Sequence, residues 1–209
     1  LCFNLATPIS LALPIGFGVN QGDHEYSELK SSNFYIYHDK RTPDEAAVFL
    51  NSLEAARPLM DQWFGQKRNK ILPVITSAIS SNASFANVIT DVIELQSRGQ
   101  GTRDLAWHEY AHTKMYGNLR NFLGPSGTLI PLFFMPAWFL EGLAETISVS
   151  IGMDSQMGVE RYQALTGDWP SYERLHSLYR SEFSARGYAT AGAFTTWILR
   201  QGNPNDLPK

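Results

Sequence analysis

The chain has 209 residues, of which 44% are hydrophobic and 12% aromatic, so it can bury a full core and is not a disordered protein. Its formal net charge is −3, and its longest basic cluster is Lys67-Arg68-Asn69-Lys70, which disfavours nucleic acid as a main partner. A single cysteine, Cys2, excludes an internal disulfide and a cysteine-based zinc site. Any metal must therefore be held by histidine and carboxylate side chains.

The N-terminal segment, Leu1 to Gly18, carries no charge and is interrupted by Pro8 and Pro14. These prolines argue against a helix that spans a membrane. The segment fits either the remnant of a secretory signal or an apolar arm of the domain, and both alternatives stay open. A signal remnant would favour an exported protein, in the cell envelope, the periplasm or the medium, over a cytoplasmic one.

The next part of the chain predicts strands around one long helix. Residues 21–32 are polar and predict a loop, whereas Asn33 to His38 alternate large apolar residues as a strand does. Thr42-Pro43-Asp44-Glu45 opens a helix, with Thr42 as N-cap and proline at the first position, and the apolar residues recur at intervals of three and four as far as Phe64. Two further strands are predicted, at Ile71 to Ile75 and at Asn87 to Leu95, the latter followed by a turn at Arg98 to Gly101.

Helical signals dominate the second half. A helix capped by Thr102 or Asp104 is expected to end at Gly117-Asn118, and the glycines and prolines of Asn121 to Pro136 predict a long loop. Further helices are predicted at Ala137 to Ser150, Ser171 to Phe183 and Tyr188 to Gln201. Strands followed by helices indicate an α+β fold, with a small N-terminal mixed sheet and a mainly helical second half.

The motif that carries chemistry is His108-Glu109-Tyr110-Ala111-His112, an HExxH run on a predicted helix. Positions i and i+4 of a helix lie about 40° apart around the axis and about 6 Å apart along it, so two imidazoles can meet one small ion. Glu109 follows the first histidine directly and sits about 100° around the helix, where it can reach water bound to that ion. The spacing predicts a zinc site with two histidine ligands and one glutamate base.

A catalytic zinc site needs a third protein ligand and an open position for water. The metzincin pattern would place glycine at 115 and histidine at 118, but the chain has Met115 and Asn118, which excludes that class. Glu141 and Glu145 lie four residues apart on the next predicted helix, so both carboxylates face the same side. One can bind the metal, and the other can accept the free ring N–H of a ligand histidine.

The run HEYAH followed by Pro136-Ala137-Trp138-Phe139-Leu140-Glu141-Gly142-Leu143-Ala144-Glu145 resembles the gluzincins, in particular the bacterial peptidase MA-like group. The resemblance implies His108, His112 and Glu141 as zinc ligands, and Glu109 as general base and acid. It also implies that Glu145 is the partner of His108. Tyr188, at the start of a helix similar to that group's tyrosine-containing helix, becomes a candidate donor to the oxyanion.

The same resemblance implies a zinc-dependent peptidase domain over residues 33–202, with residues 1–32 as an arm and residues 203–209 as a linker or tail. Gluzincins usually hold peptide as an added strand along an exposed sheet edge, which here would be Phe85 to Leu95. Some relatives carry a C-terminal β-propeller, so a further domain beyond this chain is an expectation.

A rival hypothesis is an envelope scaffold or binding module that keeps the metal site without proteolysis, although a scaffold has no need to retain Glu109. His24 and His38 lie outside any metal spacing. His176 is an alternative candidate ligand, but a lone histidine on an amphipathic helix is interpreted as a surface or core residue. Trp107, Trp138 and Phe139 are expected to pack the two metal-binding helices together.

Overall fold

A computed structural model describes residues 25–65, 72–77, 84–96, 102–128, 134–153, 157–176 and 185–201. Within these ranges the strands are β1 (Tyr26–Lys30), β2 (Phe34–Asp39), β3 (Leu72–Ser77), β4 (Phe85–Ala86) and β5 (Ile93–Gln96). They form one mixed sheet in the order β1-β2-β3-β5-β4. The two outer pairings, β1 with β2 and β4 with β5, are antiparallel, whereas β2, β3 and β5 run parallel. Both edges of the sheet are therefore antiparallel additions to a parallel centre.

The helices of the described ranges are α1 (Pro43–Phe64), α2 (Thr102–Leu123), α3 (Ala137–Ser150), α4 (Met157–Thr166), α5 (Tyr172–His176) and α6 (Ala185–Gln201), with a 3₁₀ helix at Gly124–Thr128. A sheet in the first half and helices in the second make the fold α+β, as predicted. None of the helices in these ranges combines the length and apolar character that a membrane span requires.

The main core lies between the sheet, α1 and α2. Alternate residues of the central strands share one face of the sheet, and their side chains are buried there: Phe34, Ile36, Val74, Ile93 and Leu95. Helix α1 covers this face with residues at helical spacing: Ala46, Phe49, Leu53, Ala56 and Met60. The predicted amphipathic helix is confirmed, and its burial stabilises the layer on which α2 rests.

Helix α2 is anchored to α1 by two polar contacts. The indole N–H of Trp107 donates to the Ser52 carbonyl at 2.8 Å. The ammonium of Lys114, whose side chain is fully buried, pairs with the Asp61 carboxylate. Because a buried charge without a partner is costly, this pair resists rotation of α2 about its axis. The orientation of α2 in turn decides which of its side chains face α3.

The loop predicted over residues 21–32 is wrong at Tyr26–Lys30, which form β1. An edge strand with one solvated face needs few apolar residues, so its polar sequence does not show the alternation that predicts a strand. In the same region Thr42 stands at the N-cap position of α1 as predicted, but its hydroxyl donates to the Asp39 carbonyl at 3.2 Å and makes no capping bond.

The strand predicted from Asn87 to Leu95 is also wrong in its first half, where the chain turns. The Asn87 side-chain oxygen accepts the backbone N–H groups of Ile89 and Thr90, each at 3.0 Å, and Asp91 has a φ of 62°. Asparagine and aspartate tolerate such turns because their side chains bond the local backbone. The result is the β4–β5 hairpin, in which only β4 lies at the sheet edge.

Helix α2 does not end at Gly117-Asn118 but continues to Leu123. A glycine inside a helix costs only about 1 kcal/mol, and Gly117 lies in a buried stretch where packing offsets that cost. The helix ends where Gly124 adopts a φ of 62°. Of the loop predicted over Asn121 to Pro136, residues 121–123 are helical and residues 124–128 form the 3₁₀ helix, while residues 129–133 lie outside the described residues.

The later helices follow the predictions in part. Ala137–Ser150 agrees at both ends, and the predicted helix at Tyr188 begins slightly earlier, at Ala185. Of the helix predicted from Ser171 to Phe183, the described part contains α5, and α4 was not predicted. The N-terminal segment, the turn at Arg98 to Gly101 and the tail at 203–209 lie outside the described residues.

Candidate metal centre

Helices α2 and α3 pack against each other and bring the two sequence motifs together. The Nε2 atom of His108 lies 3.0 Å from Oε2 of Glu141, and the Nε2 atom of His112 lies 3.2 Å from the same oxygen. The two Nε2 atoms are 3.1 Å apart. Three side chains that the sequence predicts as ligands thus direct one atom each to a common point.

The three side chains fit a metal ion. Bonds of about 2.0–2.1 Å in a tetrahedral site separate neighbouring ligand atoms by roughly 3.3 Å, close to the distances found here. Two imidazoles and one carboxylate suit a divalent cation, and both histidines are nearly fully buried. Within the described residues this is the one group of histidine, cysteine and acidic side chains with such geometry. The group can hold a metal ion, and its geometry does not select one element.

The electrostatics of the three side chains favour a cation. Burial alone would raise the pKa of Glu141, but the imidazoles of His112 and His108 hold it well below its usual range. Burial alone would likewise lower the pKa of His108, but hydrogen bonds with Glu141 and Glu145 raise it well above its ordinary value. The Glu141 carboxylate is therefore charged at neutral pH, and the raised pKa of His108 means that this imidazole releases a proton when a metal binds.

His108 has a second carboxylate partner on the far side of its ring. Its Nδ1 atom lies 3.1 Å from Oε1 of Glu145, and this carboxylate is largely buried. A ring N–H that donates to a carboxylate fixes the tautomer, leaving Nε2 free to bind metal. Of the two α3 glutamates, which the sequence left open between two roles, Glu141 meets Nε2 and Glu145 meets Nδ1.

Glu109 is buried beside the two histidines, with 5% of its surface exposed. Burial raises its pKa, while the neighbouring imidazoles of His108 and His112 lower it in part. The backbone N–H of Ala86, in edge strand β4, lies near this carboxylate and also lowers its pKa in part. The contact joins the edge of the sheet directly to the HExxH helix.

Tyr188 lies on the other side of the group, on α6. Its ring meets the His108 ring edge to face, with centroids 5.8 Å apart. Burial and the nearby carboxylates of Glu141, Glu109 and Glu145 raise its pKa, so the phenol keeps its proton. The structure thus places Tyr188 beside His108, and its role as a donor to the oxyanion stays a prediction.

The approach of α6 to α3 depends on glycine. A side chain at Gly142 would meet the Ala191 carbonyl oxygen and the Thr195 hydroxyl at 2.3 Å each. A methyl group does not fit at that distance, so the two helices cross where Gly142 lets their backbones touch. This crossing holds Tyr188 against His108.

Sequence reasoning missed Tyr116, which lies one turn beyond His112 on α2. Its ring stacks on the His112 ring, with centroids 5.8 Å and planes 15° apart. Burial and the carboxylates of Glu141 and Glu109 raise its pKa. The i, i+4 spacing places Tyr116 next to His112 on the helix surface, but spacing alone does not distinguish stacking on a ligand from ordinary packing.

The remaining histidines lie apart from the centre, as expected where they are described. His38 is buried in β2, with Nδ1 2.9 Å from the Asp39 carbonyl oxygen. His176 packs against Tyr172 within α5. His24 lies outside the described residues.

No protein-family model matches the chain, and no curated protein of similar sequence was found. Any functional proposal for this protein therefore depends on its own residues and their geometry.

Proposed function

We propose that this protein is a metal-dependent hydrolase and, more particularly, a zinc metallopeptidase of gluzincin type. The observation that carries the proposal is the triangle of His108 Nε2, His112 Nε2 and Glu141 Oε2, with the buried Glu109 carboxylate beside it. Two histidines and one glutamate form a ligand set that catalytic zinc uses in peptidases. A structural zinc site would instead have four protein ligands.

Zinc, when bound, would polarise a peptide carbonyl and lower the pKa of a bound water towards about 7. Glu109 supplies the base. Its carboxylate takes a proton from the attacking water and passes it to the leaving amide nitrogen. Since burial raises the pKa of Glu109, the group releases that proton less readily to solvent and is better matched to neutral pH.

The proposed substrate is an extended peptide at the β4 edge. In an antiparallel pair, successive residues turn their backbone groups alternately towards and away from the partner strand. The N–H of Asn87 bonds to the Val92 carbonyl at 2.8 Å, so the groups of Ala86 face away from β5. The Ala86 N–H lies near the Glu109 carboxylate, and the Ala86 carbonyl is the proposed acceptor for an N–H group of the peptide. The peptide-binding edge predicted over Phe85 to Leu95 is thereby narrowed to β4, because β5 is an inner strand of the sheet.

The first experiment is metal analysis of the purified protein, followed by titration with zinc. We expect about one zinc ion per chain in the wild type and loss of zinc in His112→Ala. Wild-type protein that takes up no zinc would overturn the proposed metal site.

The second experiment is cleavage of a broad peptide library. Glu109→Gln should keep its zinc but lose activity by about 10²–10⁴-fold, because it removes proton transfer and spares the ligands. Glu173→Gln, at an exposed glutamate of α5, is the matched control and should cleave as the wild type does. If the zinc-loaded wild type cuts nothing in the library, the non-proteolytic scaffold becomes the better hypothesis.

A further inference from the structure

The two histidines of the metal centre are held in different ways. His108 has the Glu145 carboxylate 3.1 Å from its Nδ1 atom. The Nδ1 atom of His112 is buried and has no hydrogen-bond partner among the described residues. Ligand histidines almost always donate from their second nitrogen, so His112 needs another restraint on its orientation.

Tyr116 is placed to supply that restraint. It lies four residues after His112 on the same helix, so its side chain is the next along the ridge that carries both histidines. The rings are nearly parallel, at 15°, and their 5.8 Å centroid separation is within the range of offset stacking. This contact restricts the tilt of the imidazole plane, and its Nε2 atom lies 3.2 Å from Glu141.

We propose that Tyr116 is a positioning residue for His112, and that its ring does for this imidazole what the Glu145 carboxylate does for His108. The inference rests on the proposed metal site and adds a residue that the HExxH and Glu141 motifs do not contain. The role belongs to the aromatic ring and not to the phenol hydroxyl. Phenylalanine at position 116 should therefore preserve the positioning of His112, whereas an aliphatic side chain should not.

The test compares Tyr116→Phe with Tyr116→Leu by competition for zinc and for cobalt(II) against a chromophoric chelator. Loss of a group that orients a ligand typically weakens metal binding by about 10–100-fold, so we expect a loss near the lower end for leucine. Phenylalanine should stay within about twofold of the wild type by the same reasoning. The cobalt(II) absorption spectrum should change in the leucine variant alone, because it reports ligand geometry.

Tyr162→Leu, at an exposed tyrosine of α4, controls for the chemical change and should bind both ions as the wild type does. Ring protons of His112 in metal-free protein give a second readout. Stacking on an aromatic ring shifts their NMR signals upfield, and the leucine variant alone should lose that shift. If the leucine variant does not fold, Tyr116→Met replaces it, since methionine is closer in length and flexible.

Each outcome separates the inference from the proposed function. Wild-type protein that binds neither ion overturns the metal site and this inference with it. Wild-type binding that the leucine variant retains unchanged overturns the inference alone. Equal losses in the phenylalanine and leucine variants would assign the role to the hydroxyl and also overturn it.

Discussion

Glu145 lies 3.1 Å from the Nδ1 atom of His108, across the imidazole ring from the nitrogen that meets Glu141. A carboxylate in this position fixes the tautomer of the ring and increases its basicity. We predict that Glu145→Ala weakens zinc binding by about 10–100-fold and that Glu145→Gln, which keeps an acceptor oxygen, loses less. Chelator competition measures both variants.

Glu160→Gln is the matched control for the Glu145 variants. Burial and the charge of Glu145 raise the pKa of Glu160, so this carboxylate lies in the field of Glu145 on another helix, α4. Removing its charge should leave zinc affinity close to that of the wild type. If zinc affinity falls equally in Glu160→Gln and Glu145→Gln, it depends on the total negative charge near the site and not on the contact between Glu145 and His108.

A second prediction concerns the crossing of α3 and α6. Gly142→Ala places a methyl group 2.3 Å from the Ala191 carbonyl oxygen, so the helices must separate. Overpacking of this kind costs about 1–3 kcal/mol in the free energy of unfolding, which denaturant titration measures. Tyr188 should move away from His108 in the same variant, and the ring-current shift of the His108 protons should shrink.

The control for the Gly142 variant is Gly158→Ala in α4, where the added methyl group has no atom within 4 Å apart from the adjacent backbone of its own helix. Alanine is the better helix former, so this variant should gain up to about 1 kcal/mol. Equal effects at both glycines would show that the backbone crossing at Gly142 is looser than the structure indicates.

A third prediction concerns Arg120, which connects the end of α2 to the β4–β5 hairpin. Its guanidinium donates to the Val88 carbonyl and to the Asp91 carboxylate. Arg120→Ala should lower the free energy of unfolding by about 2 kcal/mol, because hydrogen bonds with a charged group are lost. Hydrogen exchange at the Asn87 amide, which bonds across the hairpin to Val92, should speed up.

Arg120→Lys keeps the charge but lacks the planar guanidinium that can bond both acceptors at once. The exchange rate of the Asn87 amide in this variant should therefore lie between those of the wild type and Arg120→Ala. If peptide binds along β4, the alanine variant should raise KM more than it lowers kcat, since the hairpin carries no proposed catalytic group. An Asn87 amide protected equally in all three proteins would contradict the role of Arg120.

The fourth prediction is a pH dependence at Glu94 of strand β5. Burial raises the pKa of Glu94, so the folded protein holds this proton at pH values where the unfolded chain has released it. Stability therefore falls as pH rises from the unfolded pKa to the raised folded pKa, and the full cost of the buried charge is present above that window. Glu94→Gln should have the higher urea midpoint at pH 7, and the difference should vanish below about pH 4.

Glu28→Gln, at an exposed position of strand β1, controls for the loss of one negative charge and should show neither effect. A Glu94→Gln variant that is no more stable than the wild type at pH 7 would mean that the carboxylate has compensating partners in the folded protein.

The sequence predicted most where short-range geometry decides the outcome. The i, i+4 spacing of His108 and His112 and the apolar period of α1 depend only on the helix repeat, and both agree with the structure. The two roles of Glu141 and Glu145 required the rotation of α3 against α2, which is set by tertiary packing. Tyr116 was missed because a tyrosine at helical spacing has no signature that separates stacking on a ligand from ordinary packing.

The errors in the sheet have a similar origin. Strand β1 has a polar sequence because half of its surface faces solvent, and its pairing with β2 is a long-range contact. The hairpin at Asn87 depends on side-chain bonds to the local backbone, which interrupt a run of β-favouring residues. Strand propensities of single residues reflect neither the long-range pairing of β1 nor the side-chain bonds at Asn87.

The shortness of β4 has a consequence for solubility. An exposed edge strand offers unpaired backbone groups that can recruit other chains into intermolecular sheets and aggregates. Strand β4 spans only Phe85–Ala86, and the outward N–H of Ala86 lies near the Glu109 carboxylate. The opposite edge, β1, carries exposed Glu28 and Lys30, whose charges repel or misalign an added strand. The short β4 edge and the charged β1 edge thus both disfavour self-association by strand addition.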